Sequence, residues 1–121
     1  MTDDLAGAWQ LVSWSFEYED GRLAEFPLGR EAQGLLLYTS PGQVSATLMG
    51  SHPPGSFAYA GRYDVRGGAV HHSIEISTDP MLVGTTTTRH IAREGDVLTL
   101  SGPDFSADTG RSQKIVWRRL P

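Results

Sequence analysis

Residues 57–78 read Phe57-Ala-Tyr-Ala-Gly-Arg-Tyr-Asp-Val65-Arg-Gly67-Gly68-Ala69-Val-His-His-Ser-Ile-Glu-Ile-Ser-Thr78. This stretch decides the fold class. Side chains alternate faces along an extended strand. In Phe57 to Val65, one face takes Phe57, Tyr59, Gly61, Tyr63 and Val65, and the other takes Ala58, Ala60, Arg62 and Asp64. In Ala69 to Thr78, Val70, His72, Ile74 and Ile76 alternate with His71, Ser73, Glu75 and Ser77. Between the two runs, Gly67-Gly68 supplies the backbone freedom of a tight hairpin turn. Two amphipathic strands joined by such a turn are antiparallel neighbours.

The same grammar runs outward in both directions. Upstream lie β-type runs at Trp9 to Glu19, Arg22 to Phe26, Gly34 to Ser40 and Gln43 to Met49, broken by Asp20-Gly21, Pro27, Pro41-Gly42 and Pro53-Pro54-Gly55. Gly34 to Ser40, with Leu35, Leu36, Leu37 and Tyr38, reads as the most buried of them. Downstream lie Thr85 to Arg93, Val97 to Ser101 and Gln113 to Arg119. Four consecutive threonines at 85–88 favour extended backbone. Helical patterning is confined to Thr2–Gly7 and Gly29–Gln33, each a turn or two. The count is eight or nine strands, with turn signals every 8–12 residues and no βαβ period, so a parallel sheet is excluded. A sandwich or a closed meander remains. Closure is favoured because it removes the exposed edges of an open eight-strand meander. The expected architecture is therefore all-β: an eight- to nine-stranded antiparallel up-and-down barrel, one domain over residues 1–121.

Composition narrows the function classes. The chain has 121 residues, no cysteine and a net charge of −4. Disulfides and cysteine metal sites are excluded. No basic stripe points to nucleic acid. The acidic start Met1-Thr2-Asp3-Asp4 has no apolar core of a secretory signal, and no apolar run approaches the roughly 18 residues of a membrane span. The expected location is cytoplasmic, with neither membrane nor nucleic acid as partner.

The inward faces gather aromatic and aliphatic side chains with a few polar groups, the make-up of a small-molecule pocket. Leu98 and Leu100 point in from Val97 to Ser101. In Thr85 to Arg93, the face of Thr87, Arg89 and Ile91 and the face of Thr86, Thr88 and His90 are equal candidates. The candidate ligand-binding set is Tyr38, Phe57, Tyr59, Tyr63, His72, Ile74, Arg89 and Leu98. His71 and His72 face opposite ways, so they cannot share a metal ion, and no metal or cofactor is expected. No Gly-x-Ser-x-Gly elbow and no glycine-rich phosphate loop is present.

Gly7-Ala8-Trp9 opens the first strand and Trp117-Arg118-Arg119 closes the last. Between them stand Gly34-Leu35-Leu36-Leu37-Tyr38-Thr39, Gly42-Gln43-Val44-Ser45-Ala46, Tyr59-Ala60-Gly61-Arg62-Tyr63-Asp64-Val65, His72 with Glu75, Pro80 with Gly84, Arg89, and Gly95-Asp96-Val97-Leu98-Thr99-Leu100. As an ordered set over residues 5–119, these resemble the bacterial and fungal lipocalin-like domain family, whose genes often neighbour secondary-metabolism genes. The resemblance implies a lipocalin-like barrel. It also implies structural roles for Gly7, Trp9, Trp117 and Arg119, with the Trp9 indole at the closed end and a last-strand Arg covering it. His72 and Arg89 match positions typical of the family. One departure is the short Gly50 to Ser56 segment, where family members carry a longer, partly helical one.

Three functions follow as expectations. The first is a barrel that binds a small apolar or polyketide-like molecule. The second is a cofactor-free cyclase or isomerase in which His72 serves as acid or base, and Tyr63 and Arg89 assist or stabilise negative charge. The third is a filled barrel that acts as an assembly module, for instance a homodimer formed through a sheet face. Against the catalytic roles stand plain structural ones: His72 as a hydrogen-bonded core histidine, Arg89 as an internal cation, and the tyrosines as packing.

Overall fold

A computed structural model describes residues 5–18, 20, 25–51, 55–103 and 111–121. Eight strands follow one another in chain order: β1 (Gly7–Tyr18), β2 (Gln33–Tyr38), β3 (Gln43–Met49), β4 (Ser56–Arg66), β5 (Ala69–Ser77), β6 (Thr86–Glu94), β7 (Val97–Pro103) and β8 (Arg111–Arg119). Each pairs antiparallel with the next, and β8 pairs with β1 from Trp9↔Arg119 to Tyr18↔Arg111. The sheet is a closed up-and-down barrel. Of the ninth expected run, Arg22 to Phe26, only a single bridge between Phe16 and Glu25 lies among the described residues; Arg22 to Ala24 fall outside them, as do Gly21 and Thr2 to Asp4. Gly29 to Ala32 form turns rather than a helix.

Turn chemistry sorts the barrel's two ends. Gly67 and Gly68 join β4 to β5 at φ +60° and +76°, the positive values a two-residue hairpin needs. Short turns also join β2 to β3 and β6 to β7 at this same end. The longer connections, 19–32, 50–55, 78–85 and 104–110, all belong to the opposite end.

Two irregularities set which side chains face in. In β1 the pairing with β8 shifts between Leu11 and Ser13, and this bulge carries the inward face from Trp9 and Leu11 to Trp14 and Phe16. In β5 the pairing with β4 jumps from Gly61↔Ile74 to Ala60↔Ile76, leaving Glu75 as the extra residue. Val70, His72 and Ile74 are buried, but Ile76 is 66% exposed, contrary to strict alternation. A bulge adds one residue and inverts the faces beyond it. Likewise β2 is not buried on both faces: Leu36 and Tyr38 face in, while Leu35 and Leu37 are each 40% exposed. On β6 the inward face is that of Thr87, Arg89 and Ile91.

The tight-turn end is plugged around Trp9, which is fully buried. Its indole N–H donates to the Leu5 carbonyl at 3.0 Å. The Arg119 guanidinium lies 4.4 Å from the ring centroid and donates to the Ala6 carbonyl. Arg93 adds a second cation at 5.2 Å. Such contacts contribute about 0.5–2 kcal/mol each, depending on desolvation. Gly7 sits at φ +132°, which strains any larger residue, and a Cβ there would stand 3.0 Å from Arg119 Nη1 and nudge the guanidinium over Trp9.

Gly61 is the tightest contact in the sheet. A Cβ at this position would meet the Ser73 carbonyl oxygen at 1.9 Å, beside the β5 bulge. Gly67 has open space around it and only its positive φ to protect. Gly61→Ala is therefore expected to cost about 3 kcal/mol or more, and Gly67→Ala about 1 kcal/mol, in urea unfolding. Equal costs would show that the close approach at Gly61 is not what fixes this strand pair.

Candidate functional site

The middle of the barrel holds an apolar pocket. Its wall is built from Trp14, Leu36, Leu48, Phe57, Leu100 and Ile115, interrupted by Tyr59, His72, Arg89, Gln113 and the Trp117 indole. The cavity left between these side chains is about 20 Å³. That is room for about one water. Trp14 and Phe57 narrow the pocket by stacking on each other at 6.1 Å and 27°. Both lie towards the end with the long connections, as the pairings Met49↔Ser56 and Trp14↔Ile115 place them.

His72 is held from both sides. It projects from β5 between β4 and β6 and is 2% exposed. Tyr38 Oη lies 2.6 Å from Nε2, and Tyr59 Oη lies 2.6 Å from Nδ1. A neutral imidazole satisfies this pair: one phenol donates to the bare ring nitrogen, and the ring N–H donates to the other phenol. Burial, the nearby Arg89 charge and His71 lower the His72 pKa from 6.5 to about 3. Burial also raises Tyr59 to about 12 and lifts Tyr38 well above 10, against the opposing pull of Arg89. The three side chains form an uncharged chain across the interior.

Arg89 and Gln113 complete the polar arc. Arg89 is buried on β6, and its Nη1 donates to the Thr88 carbonyl at 3.1 Å. Gly102 on the neighbouring strand makes room for it; a Cβ there would meet the Thr88 carbonyl oxygen at 2.8 Å and Nη1 at 3.4 Å. Gln113 is fully buried, and its Oε1 accepts from the Trp14 indole N–H at 2.9 Å. That bond fixes the amide orientation, because an indole only donates. The Gln113 NH₂ and the Trp117 indole N–H are buried with no hydrogen-bond partner among the described residues.

The structure divides the expected site residues. Phe57, Tyr59, His72 and Arg89 stand on the pocket wall. Tyr38 stands behind them, joined through His72. Tyr63 packs on Tyr38 at 4.5 Å but sends its hydroxyl to the Thr39 carbonyl at the tight-turn end, away from the pocket. Ile74 and Leu98 are buried core without a place on the wall. Gln113 and Trp14 were not singled out in the sequence. The signal for Gln113 was present: Gln113, Ile115 and Trp117 alternate with Lys114, Val116 and Arg118, so an uncharged polar residue sits on the inward face of β8. Among the described residues, no three His, Cys, Asp or Glu side chains gather to hold a metal ion.

A sequence profile described as lipocalin-like domain matches residues 6–56 and 51–120. The chain belongs to the lipocalin-like domain family. The two matches overlap at residues 51–56, across the connection between β3 and β4. Among curated proteins, the 4'-hydroxy-3'-methoxypropiophenone carrier protein ppsC of Aspergillus oryzae is 35% identical over 74 residues, covering 53% of this chain and 67% of that protein. Among solved structures, lipoprotein YedD of Klebsiella pneumoniae aligns with a TM-score of 0.52 at 14% identity, over 99% of this chain and 74% of that one. An uncharacterised protein of Bacteroides eggerthii aligns with a TM-score of 0.54 at 16% identity, over 97% of this chain and all of that one. At such identities the structural likeness is one of fold.

The buried neutral imidazole makes the fold acid-sensitive. Between pH about 6.5 and about 3 the unfolded chain binds a proton at His72 that the folded chain does not. Stability therefore falls as pH is lowered through that window, by on the order of 1.4 kcal/mol per unit, and the loss levels off below it. Urea unfolding at a series of pH values is expected to show this slope, and His72→Gln to flatten it. An unchanged slope in the variant would place the acid sensitivity elsewhere.

Proposed function

We propose that the barrel carries a small, largely apolar aromatic molecule in its lumen. The observation that carries this reading is the pocket itself: an apolar wall crossed by one short polar arc at the centre of a closed barrel. Apolar surface provides affinity, and a few placed polar groups fix orientation. The likeness to a protein named as carrier of a hydroxy-methoxy-propiophenone supports a ligand of that size and polarity. The narrow lumen means that the ligand displaces side chains as it binds. The stacked Trp14–Phe57 pair is the part that opens, since Phe57 is half-buried at the start of β4.

Carriage accounts for His72 better than cyclisation or isomerisation does. Both ring nitrogens are occupied by phenols, and a base with a pKa of about 3 takes up protons poorly at neutral pH. Of the two groups suggested to assist it, Tyr63 is directed to the opposite end, and Arg89 alone stays on the pocket wall beside His72. Titration with 4'-hydroxy-3'-methoxypropiophenone, followed by tryptophan fluorescence, tests the reading because Trp14 and Trp117 stand on the wall. The expected result is saturable quenching and a 1:1 complex in native mass spectrometry. Phe57→Ala is expected to bind larger aromatic ketones several-fold tighter while losing roughly 1–3 kcal/mol of stability. If neither the ketone nor any other small aromatic compound gives a saturable change, the carrier reading fails.

The outer wall supports a second reading alongside the first, self-association. Leu35, Leu37, Met49 and Ile76 are exposed on adjacent strands around the small side chains of Ser45, Ala58 and Ala60. Pairing of this face between two copies covers it. Sedimentation is expected to show a dimer that Leu37→Glu converts to monomer; a wild-type monomer at all concentrations excludes it.

A further inference from the structure

We infer that the lumen selects ligands for carbonyl-type oxygens, which accept from the donors its wall leaves unpartnered among the described residues, the Gln113 amide N–H and the Trp117 indole N–H. This rests on the lumen being the binding site and deepens that reading by naming the ligand's polar group.

Gln113 and Trp117 are adjacent inward positions but one on β8, with Ile115 between them, and all three line the pocket. Both side chains are at least 98% buried. Each carries a nitrogen donor with no partner among the described residues. A buried donor left unpaired loses its hydration without compensation, and native interiors avoid this. Arg89, also on the wall, can only donate. The Trp14 N–H meets Gln113 Oε1, and the two His72 nitrogens meet Tyr38 and Tyr59. The wall atoms that lack any partner here are therefore donors. A ligand group that only accepts fits them; a group that must donate leaves its own hydrogen stranded beside them. The Arg89 charge, felt at His72 and both tyrosines, adds a field of the same preference. Ketone, ester and carboxylate oxygens share the required chemistry. The aromatic body then lies against Leu36, Leu48 and Phe57.

The experiment compares three probes of one size: acetophenone, benzoate and ethylbenzene. Binding is read by calorimetry, and the three indole N–H resonances by NMR on nitrogen-labelled protein. The Trp9 and Trp14 indoles already donate, to Leu5 and Gln113, whereas that of Trp117 does not. The expected result is that acetophenone, benzoate or both bind roughly tenfold tighter than ethylbenzene, and that the Trp117 N–H signal moves downfield with them and not with ethylbenzene. Which of the two oxygen-bearing probes gains tells a neutral carbonyl from a carboxylate. Gln113→Glu keeps an oxygen for Trp14 and removes the amide donor, so the preference for acetophenone over ethylbenzene is expected to collapse towards one. Equal affinity for all three probes, or a Trp117 signal unmoved by acetophenone and benzoate, overturns the inference while leaving lumen binding intact. No binding of any probe, ethylbenzene included, overturns both.

Discussion

Pairing of β8 with β1 turns a meander into a cylinder, and the rest of the molecule follows from that seam. A sheet with no edge satisfies its backbone internally, leaving no strand to template association. It also encloses every inward side chain. A polar group on the inner face is cut off from bulk water and either pairs within the barrel or, like the Gln113 NH₂ and the Trp117 N–H, is left without a partner among the described residues. The Tyr38–His72–Tyr59 chain and the Trp14–Gln113 bond are the outcomes of that enclosure. Charge is handled differently. The imidazole gives up its proton, the phenols keep theirs, and the one guanidinium on the pocket wall holds its charge because arginine cannot shed it.

Much of this is legible in the chain, for an identifiable reason. Strand existence and order follow from alternation and turn residues, both local properties. The Gly67-Gly68 hairpin and the clean pattern of Val70, His72 and Ile74 needed no tertiary information. The seam itself is not local, and it was reached through the elimination of exposed edges and the pairing of Gly7-Ala8-Trp9 with Trp117-Arg118-Arg119. What alternation cannot supply is the position of a bulge. One extra residue at Glu75 sends Ile76 outward, and another near Val12 brings Trp14 in. The pocket's narrowest point depends on that second shift.

The site was legible in part. His72, Arg89, Tyr59 and Phe57 share one wall because they occupy inward positions on three consecutive strands, a placement that follows from order alone. Height along the barrel axis does not follow from order. Tyr63 and Leu98 face inward as expected but lie towards the plugged end, whereas Gln113, at pocket height on the last strand, draws no attention in a list of reactive residues. Strand tilt and stagger set these heights, and neither is written in any single segment.

The unequal treatment of the two ends has a consequence for how such a protein diversifies. The compact base, with Trp9 beneath Arg119 and Gly7 barring any larger side chain, is jointly determined by both chain termini, so change there is punished at once. At the opposite end the longer connections meet: among the described residues, Leu28 is buried in the core and lies against Gly50 of the next connection. Length gained or lost after Met49 therefore falls on the neighbouring connection through Leu28, at the far end of the barrel from Trp9. That end can thus change while foldability stays in the custody of the base.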